Sequence, residues 1–498
     1  MTLNAILEGV RVTKLYSAMY GRMVLTQDIN VREIRYDSRR VGPGDLFVAL
    51  RGTAADGRGF VTAAVAAGAV AVLLDDDAAV PDAFFMHAGV LKIVVPDARV
   101  ALAGCAANFF GRPADALTLV GITGTNGKTT TSHLVRSVVE ASGTRSGLIG
   151  TIEYMTGAGS TPATHTTPES LELHGLLAAM VGAGCGAAVM EVSSHALAMH
   201  RVDGLEFRAA VFTNLTQDHL DYHRSMEEYF RAKKMLFDSL RARDTAVVNA
   251  DDPYGARMLE GTSGARLTYG LGPGCDVRAA HVAQGIEGTH LAAATPAGPI
   301  EFASPLTGHF NVLNMLAACG AGVALGISPE TIARGISAVR AVRGRFERIA
   351  SPAGWTAVVD YAHTPDALEN CLRTIRELAG GRVITVFGCG GNRDRGKRPI
   401  MGRIASTMSD FTIVTSDNPR NEDPAAIIAE ITAGIEGRAA VMTEPDRRTA
   451  IRAALGMARA GDVVLVAGKG HETYQVIGAR REHFDDREEV ERFIREAS

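Results

Sequence analysis

Short continuous apolar runs alternate with helix-length segments along most of this chain. Near the start, "GDLFVAL" reads as a strand, and "GFVTAAVAAGAVAVLL" as helix, glycine turn and strand, a βαβ-like element. At "LTLVGITGTNGKTTTSHLVRSVVEASG" a buried strand gives way to a Gly/Thr loop and a long helix. Further strands are read in "GAAVMEVSS", "AAVFTNL" and "DTAVVNADD". Helices fall between them, as in "SLELHGLLAAMVGAG" and "SMEEYFRAKKMLFDSLRA". This alternation predicts a parallel sheet covered on both faces. From about 262 to 305 the text turns to short segments rich in Gly, Ala and Thr, read as a small antiparallel patch. A helical pair follows over roughly 310 to 340. After "AVRGRFE" the strands "TAVVDYA", "RVITVFG", "FTIVTS" and "DVVLVAG" alternate with helices, a third α/β unit of doubly wound type. The expected organisation is α/β with domains at 1–98, 99–342 and 343–498.

Composition narrows the class. A chain of 498 residues exceeds one ordinary domain. Hydrophobic residues make up 46% and charged residues 21%, as in soluble globular proteins. A formal net charge of −4 gives no global basic field for nucleic acid. The six cysteines are scattered without a CxxC pair, so neither a disulfide framework nor a zinc site is signalled. The start, "MTLNAILEGVRVTKLYSAMYG", lacks a signal peptide's charged head and continuous apolar segment. No apolar run reaches the roughly 18 residues of a membrane span. These features predict a soluble, cytoplasmic chain of enzyme size.

The first chemical motif is "GITGTNGKTT", set between strand and helix. A strict phosphate-binding loop needs Gly where Ile122 stands. Its other parts are present: Gly124 and Gly127 let the backbone turn and aim N–H groups inward, with Thr125 and Asn126 between them. The helix N-terminus adds its positive end. Lys128 reaches toward β- and γ-phosphates, and Thr129, followed by Thr130, offers a hydroxyl to Mg²⁺. The pattern points to ATP.

Acidic and imidazole groups gather at other strand ends. Glu191 closes "AAVMEVSSH". Asp218, His219, Asp221 and His223 follow "AAVF" in "TNLTQDHLDYH". Ligands in open α/β sheets bind beyond the carboxyl ends of the strands, so these groups are expected near the phosphate loop. Carboxylates there suit Mg²⁺. The absence of HExxH and of an accompanying Cys disfavours zinc. Lys233 and Lys234 in "YFRAKKM", taken alone, read as a solvated basic face.

Together these segments resemble the Mur ligases, ATP-dependent amide-forming enzymes of peptidoglycan precursor synthesis. The resemblance runs through "DSRRVGPGDLFVALRGTAADGRGF", "GITGTNGKTTT", "HTTPES", "MEVSSHALAMHRV", "FTNLTQDHLDYH", "NADD", "GHFNVLN", "GRFE", "VVDYAHTPDALE", "VFGCGGNRDRGKRP", "SDNPRNEDP" and "AGKGHETYQ". It implies an N-terminal mixed α/β domain for a UDP-sugar, a central ATP domain and a C-terminal Rossmann-like domain for an amino acid. The implied substrates are ATP, UDP-MurNAc-L-Ala-D-Glu and meso-diaminopimelate, and the implied state is a monomer without membrane insertion or nucleic acid. By the family's pattern, Ser38 and Thr53-Ala54-Ala55 would face the uridine nucleotide. Thr166, Thr167, Ser193 and Arg201 would hold the muramoyl-dipeptide. Thr129 and Glu191 would ligate one Mg²⁺, and His219 with Lys233 as a CO₂-derived carbamate a second. Lys128, Glu191, His219 and Lys233 would thus be the catalytic set. Asn314, Arg345, Asp360 and His363 would complete the ATP site. Met199, His165 and the Thr-Ala-Ala loop depart from residues common in relatives.

The third domain's loops carry the specificity reading. "GCGGNRDRGKRP", "DNPR" and "GKGHE" follow strands and are expected to converge. Arg393 and Arg420 are suited to grip carboxylates with paired N–H···O bonds. Gly468 and Glu472 are suited to an ammonium, with Asp417, Asn418 and Pro419 beside them. Lysine lacks diaminopimelate's distal carboxylate, so a site built on a buried guanidinium should reject it. A lysine-adding ligase, a folate polyglutamate ligase and a non-catalytic ATP-binding scaffold are the alternatives. "VRGRFE", centred on Gly344, is read as a hinge.

Overall fold

The computed structural model describes residues 1–16, 18, 19, 22, 23, 26–52, 55–285, 287–437 and 440–497. Contacts divide the chain into two units: Met1–Gly121 with Thr144–Arg208, and Ile122–Gly143 with Ala209–Ser498. Among the described residues no helix is long and apolar enough to cross a membrane.

In the first unit a five-stranded sheet runs in the order Lys14–Tyr16, Leu91–Val94, Ala71–Leu74, Leu46–Val48, Ile34–Arg35. The first pair is antiparallel and the rest are parallel. The two-residue side-chain period sorts these strands onto two cores. Leu46, Val48, Leu73, Leu91 and Ile93 pack with Leu3, Leu102 and Cys105 on one face. Phe47, Val72 and Leu74 pack with Val61, Ala64 and Phe85 on the other. Two covered faces explain why the strands read as unbroken apolar runs. Each fully buried Leu, Val or Phe contributes about 1.5–3 kcal/mol. The same unit holds Ser146–Ile149, parallel to Ala187–Glu191 and antiparallel to Glu153–Met155.

In the second unit Phe207–Phe212, Thr245–Asn249, Ala265–Gly270 and Val277–Gly285 pair in parallel. Gly288–Ala294 and Ile300–Ser304 then add an antiparallel meander. The expected antiparallel patch therefore begins one strand later than its composition indicated, because Ala265–Gly270 continues the parallel ladder. The helical pair is His309–Ala324 and Pro329–Ala338.

The unit's other sheet has six strands. Their order is Glu347–Ala350, Thr356–Asp360, Val463–Ala467, Val383–Phe387, Phe411–Val414, Ala440–Thr443. All neighbours are parallel except the first pair. Its faces carry separate cores, one around Leu368, Phe387 and Met401, the other around Ile384, Val466 and Ile451. Helix starts follow local chemistry: Thr364 caps Pro365–Leu378 and Asp423 caps Pro424–Thr432, each with proline just inside. Arg447 and Asp486, both without solvent exposure, pair at 2.7 Å. Arg447 also donates to the Ala467 and Ser416 carbonyls at 2.9 and 3.3 Å, fixing two strand ends. Removing the arginine would strand a buried carboxylate, a loss of about 3–5 kcal/mol.

Candidate active site

The phosphate loop lies at the start of helix Lys128–Ala141, with Gly127 as its N-cap in the left-handed region, φ +84°. A Cβ on Gly127 would stand 2.4 Å from Asn314 Oδ1. That oxygen accepts from Thr131 Oγ1 at 3.3 Å, and Asn314 Nδ2 donates to Asn311 at 3.1 Å, so the crowding atom is pinned. Lys128 Nζ donates to the Gly124 and Thr125 carbonyls at 2.9 and 2.8 Å, curled over its own loop. Thr125 Oγ1 donates to the Thr216 carbonyl at 3.2 Å. Asn126 Nδ2 donates to Asp366 Oδ2 at 2.8 Å, joining the loop to the helix Pro365–Leu378. Thr129 and Thr130 are buried in the first helical turn.

Lys233 is buried, 1% exposed, and its Nζ donates to the Gly124 carbonyl at 2.8 Å. It lies 4.4 Å from the Tyr229 ring centroid. Burial, then the neighbouring Lys128 charge, pushes its ammonium well below the usual lysine range. The reading of Lys233 as part of a solvated face is thereby corrected. The signal was present in the spacing: Tyr229, Lys233 and Phe237 stand four apart on the buried stripe of Met226–Asp238. Asp218 accepts from the His219 backbone N–H at 2.8 Å, with His219 Nε2 3.5 Å from its other oxygen. Burial works against the Asp218 carboxylate, but His219 and His363 outweigh it and hold its pKa below the ordinary value. His219 itself has φ +54° and stays partly exposed.

Arg345 donates from Nη2 to Thr129 Oγ1 at 3.1 Å and stacks 4.6 Å from the Tyr361 ring. Asp360 accepts from the Phe346 N–H at 2.6 Å, and burial raises its pKa. His363 is held by its Nδ1, 2.9 Å from the Tyr361 carbonyl; burial and Lys397 lower its pKa. Gly344 has φ +64°, and a Cβ there would meet the His471 N at 2.1 Å.

The three carboxyl-end loops of the six-stranded sheet do converge. Arg420, φ +52°, donates from Nη1 to the Gly391 carbonyl at 2.8 Å. Its backbone N–H donates to the Val476 carbonyl at 3.0 Å, and its carbonyl accepts from Gly478 at 2.7 Å. Pro419 and Asn418 are buried beside it. Asn418 Nδ2 donates to Glu472 Oε2 at 2.7 Å. Lys469, with no exposure, donates to Asn418 Oδ1 and Glu472 Oε2, both at 3.2 Å, and lies 3.8 Å from Asp417 Oδ1. Burial, then the Asp417 charge, raises the Glu472 pKa. Gly468 leaves room for Asp417, whose Oδ2 would lie 3.0 Å from an added Cβ. Arg393 is exposed and donates to the Asn392 carbonyl at 3.0 Å, not into this cluster.

In the first unit, Thr167 Oγ1 donates to the Glu191 carbonyl at 2.8 Å and accepts from the Ser193 N–H at 3.1 Å. Arg201 Nη1 donates to the Thr167 carbonyl at 2.9 Å, and its Nε lies 3.4 Å from Glu169. Thr166 Oγ1 meets Thr151 Oγ1 at 3.1 Å. Both Glu191 carboxylate oxygens accept from Thr151, at 2.8 and 3.0 Å. Ser38 opens a 3-10 turn capped by Asp37, and the Ala55 carbonyl accepts from Gly52 at 2.9 Å. Thr53 and Ala54 lie outside the described residues.

Among the described residues no three His, Cys, Asp or Glu side chains converge as a metal cage. Isolated hydroxyl and carboxylate oxygens fit Mg²⁺, which takes few protein ligands and completes its shell with water and phosphate oxygens. Sequence reasoning missed Lys469, Asp366 and the hairpin of Tyr474–Ile477 with Arg480–His483 that seats Arg420. Lys469 stood inside a quoted motif, but nothing in "GKGHE" distinguishes a buried ammonium from an exposed one.

Three family models match the chain. The Mur ligase family catalytic domain covers residues 30–110, the Mur ligase middle domain 122–322, and the Mur ligase glutamate ligase domain 344–470. A UDP-N-acetylmuramoyl-L-alanyl-D-glutamate--2,6-diaminopimelate ligase from Geobacter metallireducens is 50% identical over 492 residues, covering 94% of this chain and 95% of that protein. The ligase of the same name from Solibacter usitatus is 47% identical, covering 98% and 97%. A solved ligase of that name superposes with a TM-score of 0.68 at 34% identity, covering 97% of this chain and 99% of that one. MurF from Acinetobacter baumannii shares the fold at a TM-score of 0.66 and 20% identity. With three domain models matched in order and relatives at about half identity along nearly the full length, the chain belongs to the Mur ligase family.

Proposed function

We propose that this chain is an ATP-dependent amide ligase that adds meso-diaminopimelate to the D-Glu γ-carboxylate of UDP-MurNAc-L-Ala-D-Glu in peptidoglycan precursor synthesis. The observation that supports the specificity is the convergence of the loops bearing Arg420, Asp417, Asn418 and Glu472 at the carboxyl end of the sheet, Arg420 tied to Gly391 and the buried Lys469 set against the two carboxylates. That arrangement complements a zwitterionic amino-acid head. The relatives bearing this ligase's name support the same substrates.

A free carboxylate and an ammonium do not condense usefully in water, so the carboxylate is first activated. Its oxygen attacks the γ-phosphorus of ATP, ADP leaves, and an acyl phosphate forms. Two anions must approach, and Lys128 and Arg345 supply positive charge. Arg345 is held for this by Thr129 and Tyr361. Mg²⁺, when bound, neutralises phosphate charge; in the second unit Thr129 would ligate one ion and His219 with Lys233 as its carbamate a second, and in the first unit Glu191 offers a carboxylate. A carbamate forms only on a neutral amine, and the burial of Lys233 lowers its pKa in that direction. The diaminopimelate amine then attacks the acyl carbon, loses a proton, and phosphate leaves. Acyl phosphates hydrolyse readily, so closure about Gly344 would keep water out.

Within this reading, Gly124, Thr125, Asn126, Gly127, Thr130, Asn314, Asp360 and His363 serve ATP. Ser38, Thr53, Ala54, Ala55, Thr166, Thr167, Ser193 and Arg201 serve the UDP-dipeptide. Pro419 and Gly468 join the diaminopimelate contacts, and Arg393 would join them only by leaving its bond to the Asn392 carbonyl. Domain boundaries fall near 98 and 342, and the enzyme works as a cytoplasmic monomer. Phosphate release should require ATP, Mg²⁺, the UDP-dipeptide and diaminopimelate together. No release from the complete mixture would defeat the proposal.

A further inference from the structure

Two carboxylates share the pocket beside Arg420. Glu472 and Asp417 side chains keep 15% and 8% exposure, whereas Lys469 behind them has none. Glu472 Oε2 takes both protein bonds, from Asn418 and Lys469. Among the described residues no donor reaches Oε1, which is left for a ligand. The lysine Nζ also lies 3.8 Å from Asp417 Oδ1. Asn418 is locked in turn, its Oδ1 accepting from Val476 N–H at 2.9 Å. The groups that act on Glu472 are Lys469, Asp417, Tyr361, Arg447 and Tyr474.

We propose that Lys469 is a positioning residue that acts through Glu472 and Asp417, offsetting one of their two negative charges so that the pair takes one substrate ammonium while Arg420 is left for a carboxylate. With Lys469 the two carboxylates carry a single uncompensated charge, matched by one ammonium. Without it, like charges in a buried site favour protonation of one of them, and a protonated acid no longer attracts the ammonium. Lys469 itself is too enclosed to touch the substrate. This inference rests on the diaminopimelate reading of the site.

The test is Lys469→Met, with KM measured for all three substrates across the pH range of activity. The KM for diaminopimelate should rise about tenfold or more, most steeply on the acid side, toward which the raised Glu472 pKa favours its neutral form. The KM values for ATP and the UDP-dipeptide should stay within about twofold. Lys469→Gln, which keeps a donor but not the charge, should retain the acid-side rise. An unchanged diaminopimelate KM and pH profile, or a parallel rise in all three KM values, would overturn the proposal. If neither variant folds, Lys469→Met combined with Asp417→Asn, which leaves the same single negative charge on Glu472, should keep the native pH profile of the diaminopimelate KM, and an acid-side rise in that double variant overturns the proposal too. Native enzyme that releases no phosphate with diaminopimelate defeats the ligase reading itself, before any variant is compared.

Discussion

Arg420 Nη1 donates to the Gly391 carbonyl at 2.8 Å, so the loop after Phe411–Val414 is tied to the loop after Val383–Phe387. The guanidinium is thus oriented before any substrate arrives, and its backbone is held by the Val476 carbonyl. Arg420→Ala should lower kcat/KM for diaminopimelate by about 30-fold or more, the ~2–5 kcal/mol of a truncated charge pair. The KM for ATP should not move. Steady-state kinetics with each substrate varied checks this, and equal losses for ATP and diaminopimelate would contradict it.

Lys233 offers a different test. Its burial against Gly124 and Tyr229 lowers its pKa, in the direction that the proposed carbamate requires. Activity should fall in CO₂-depleted buffer and return with bicarbonate, more markedly at the acid end, where carbamates decompose. Lys233→Met should be inactive with or without bicarbonate. Full activity retained through prolonged CO₂ removal would contradict the carbamate.

Gly127 is a backbone prediction. Gly127→Ala adds a Cβ against Asn314 Oδ1 at a φ of +84°. Left-handed strain alone costs about 1–2 kcal/mol. We expect a raised KM for ATP and a lowered thermal midpoint, read by kinetics and calorimetry. Wild-type ATP affinity in this variant would show that the crowding is relieved without disturbing the loop.

Much of this was legible in the sequence, and the reasons for the rest are physical. Strands such as Val383–Phe387 and Val463–Ala467 are covered on both faces, so their apolar runs announce them. The phosphate loop carries its own punctuation in Gly124, Gly127 and Lys128. The hairpin Tyr474–Ile477 with Arg480–His483 gave no such signal, because its second strand is exposed along its whole length. Arg393 and Arg420 look alike in the sequence, yet one is exposed and the other is clamped between a loop and a hairpin. That difference arises from long-range hydrogen bonds to Gly391, Val476 and Gly478, which no local pattern encodes.

Buried histidines set an acid limit on stability. His174 is 2% exposed with neither ring nitrogen hydrogen-bonded, and burial lowers its pKa to about 4. His133 is likewise lowered to about 4 by burial and His471 to about 3. Each folded pKa lies below the unfolded value near 6.5. Their stability is therefore present above pH ~6.5 and lost as pH falls toward the folded values. His174→Leu should shrink the stability lost between pH 7 and pH 5 by up to about 2 kcal/mol. Urea unfolding at the two pH values measures this, and an unchanged difference would contradict it.

The central claim is that the Arg420 pocket selects the amino acid that carries a distal carboxylate. Mass spectrometry of the product formed with diaminopimelate and lysine competing at equal concentration tests it most directly. The diaminopimelate adduct should be the dominant product. A product mixture with lysine at comparable yield, or a lysine adduct alone, would contradict it.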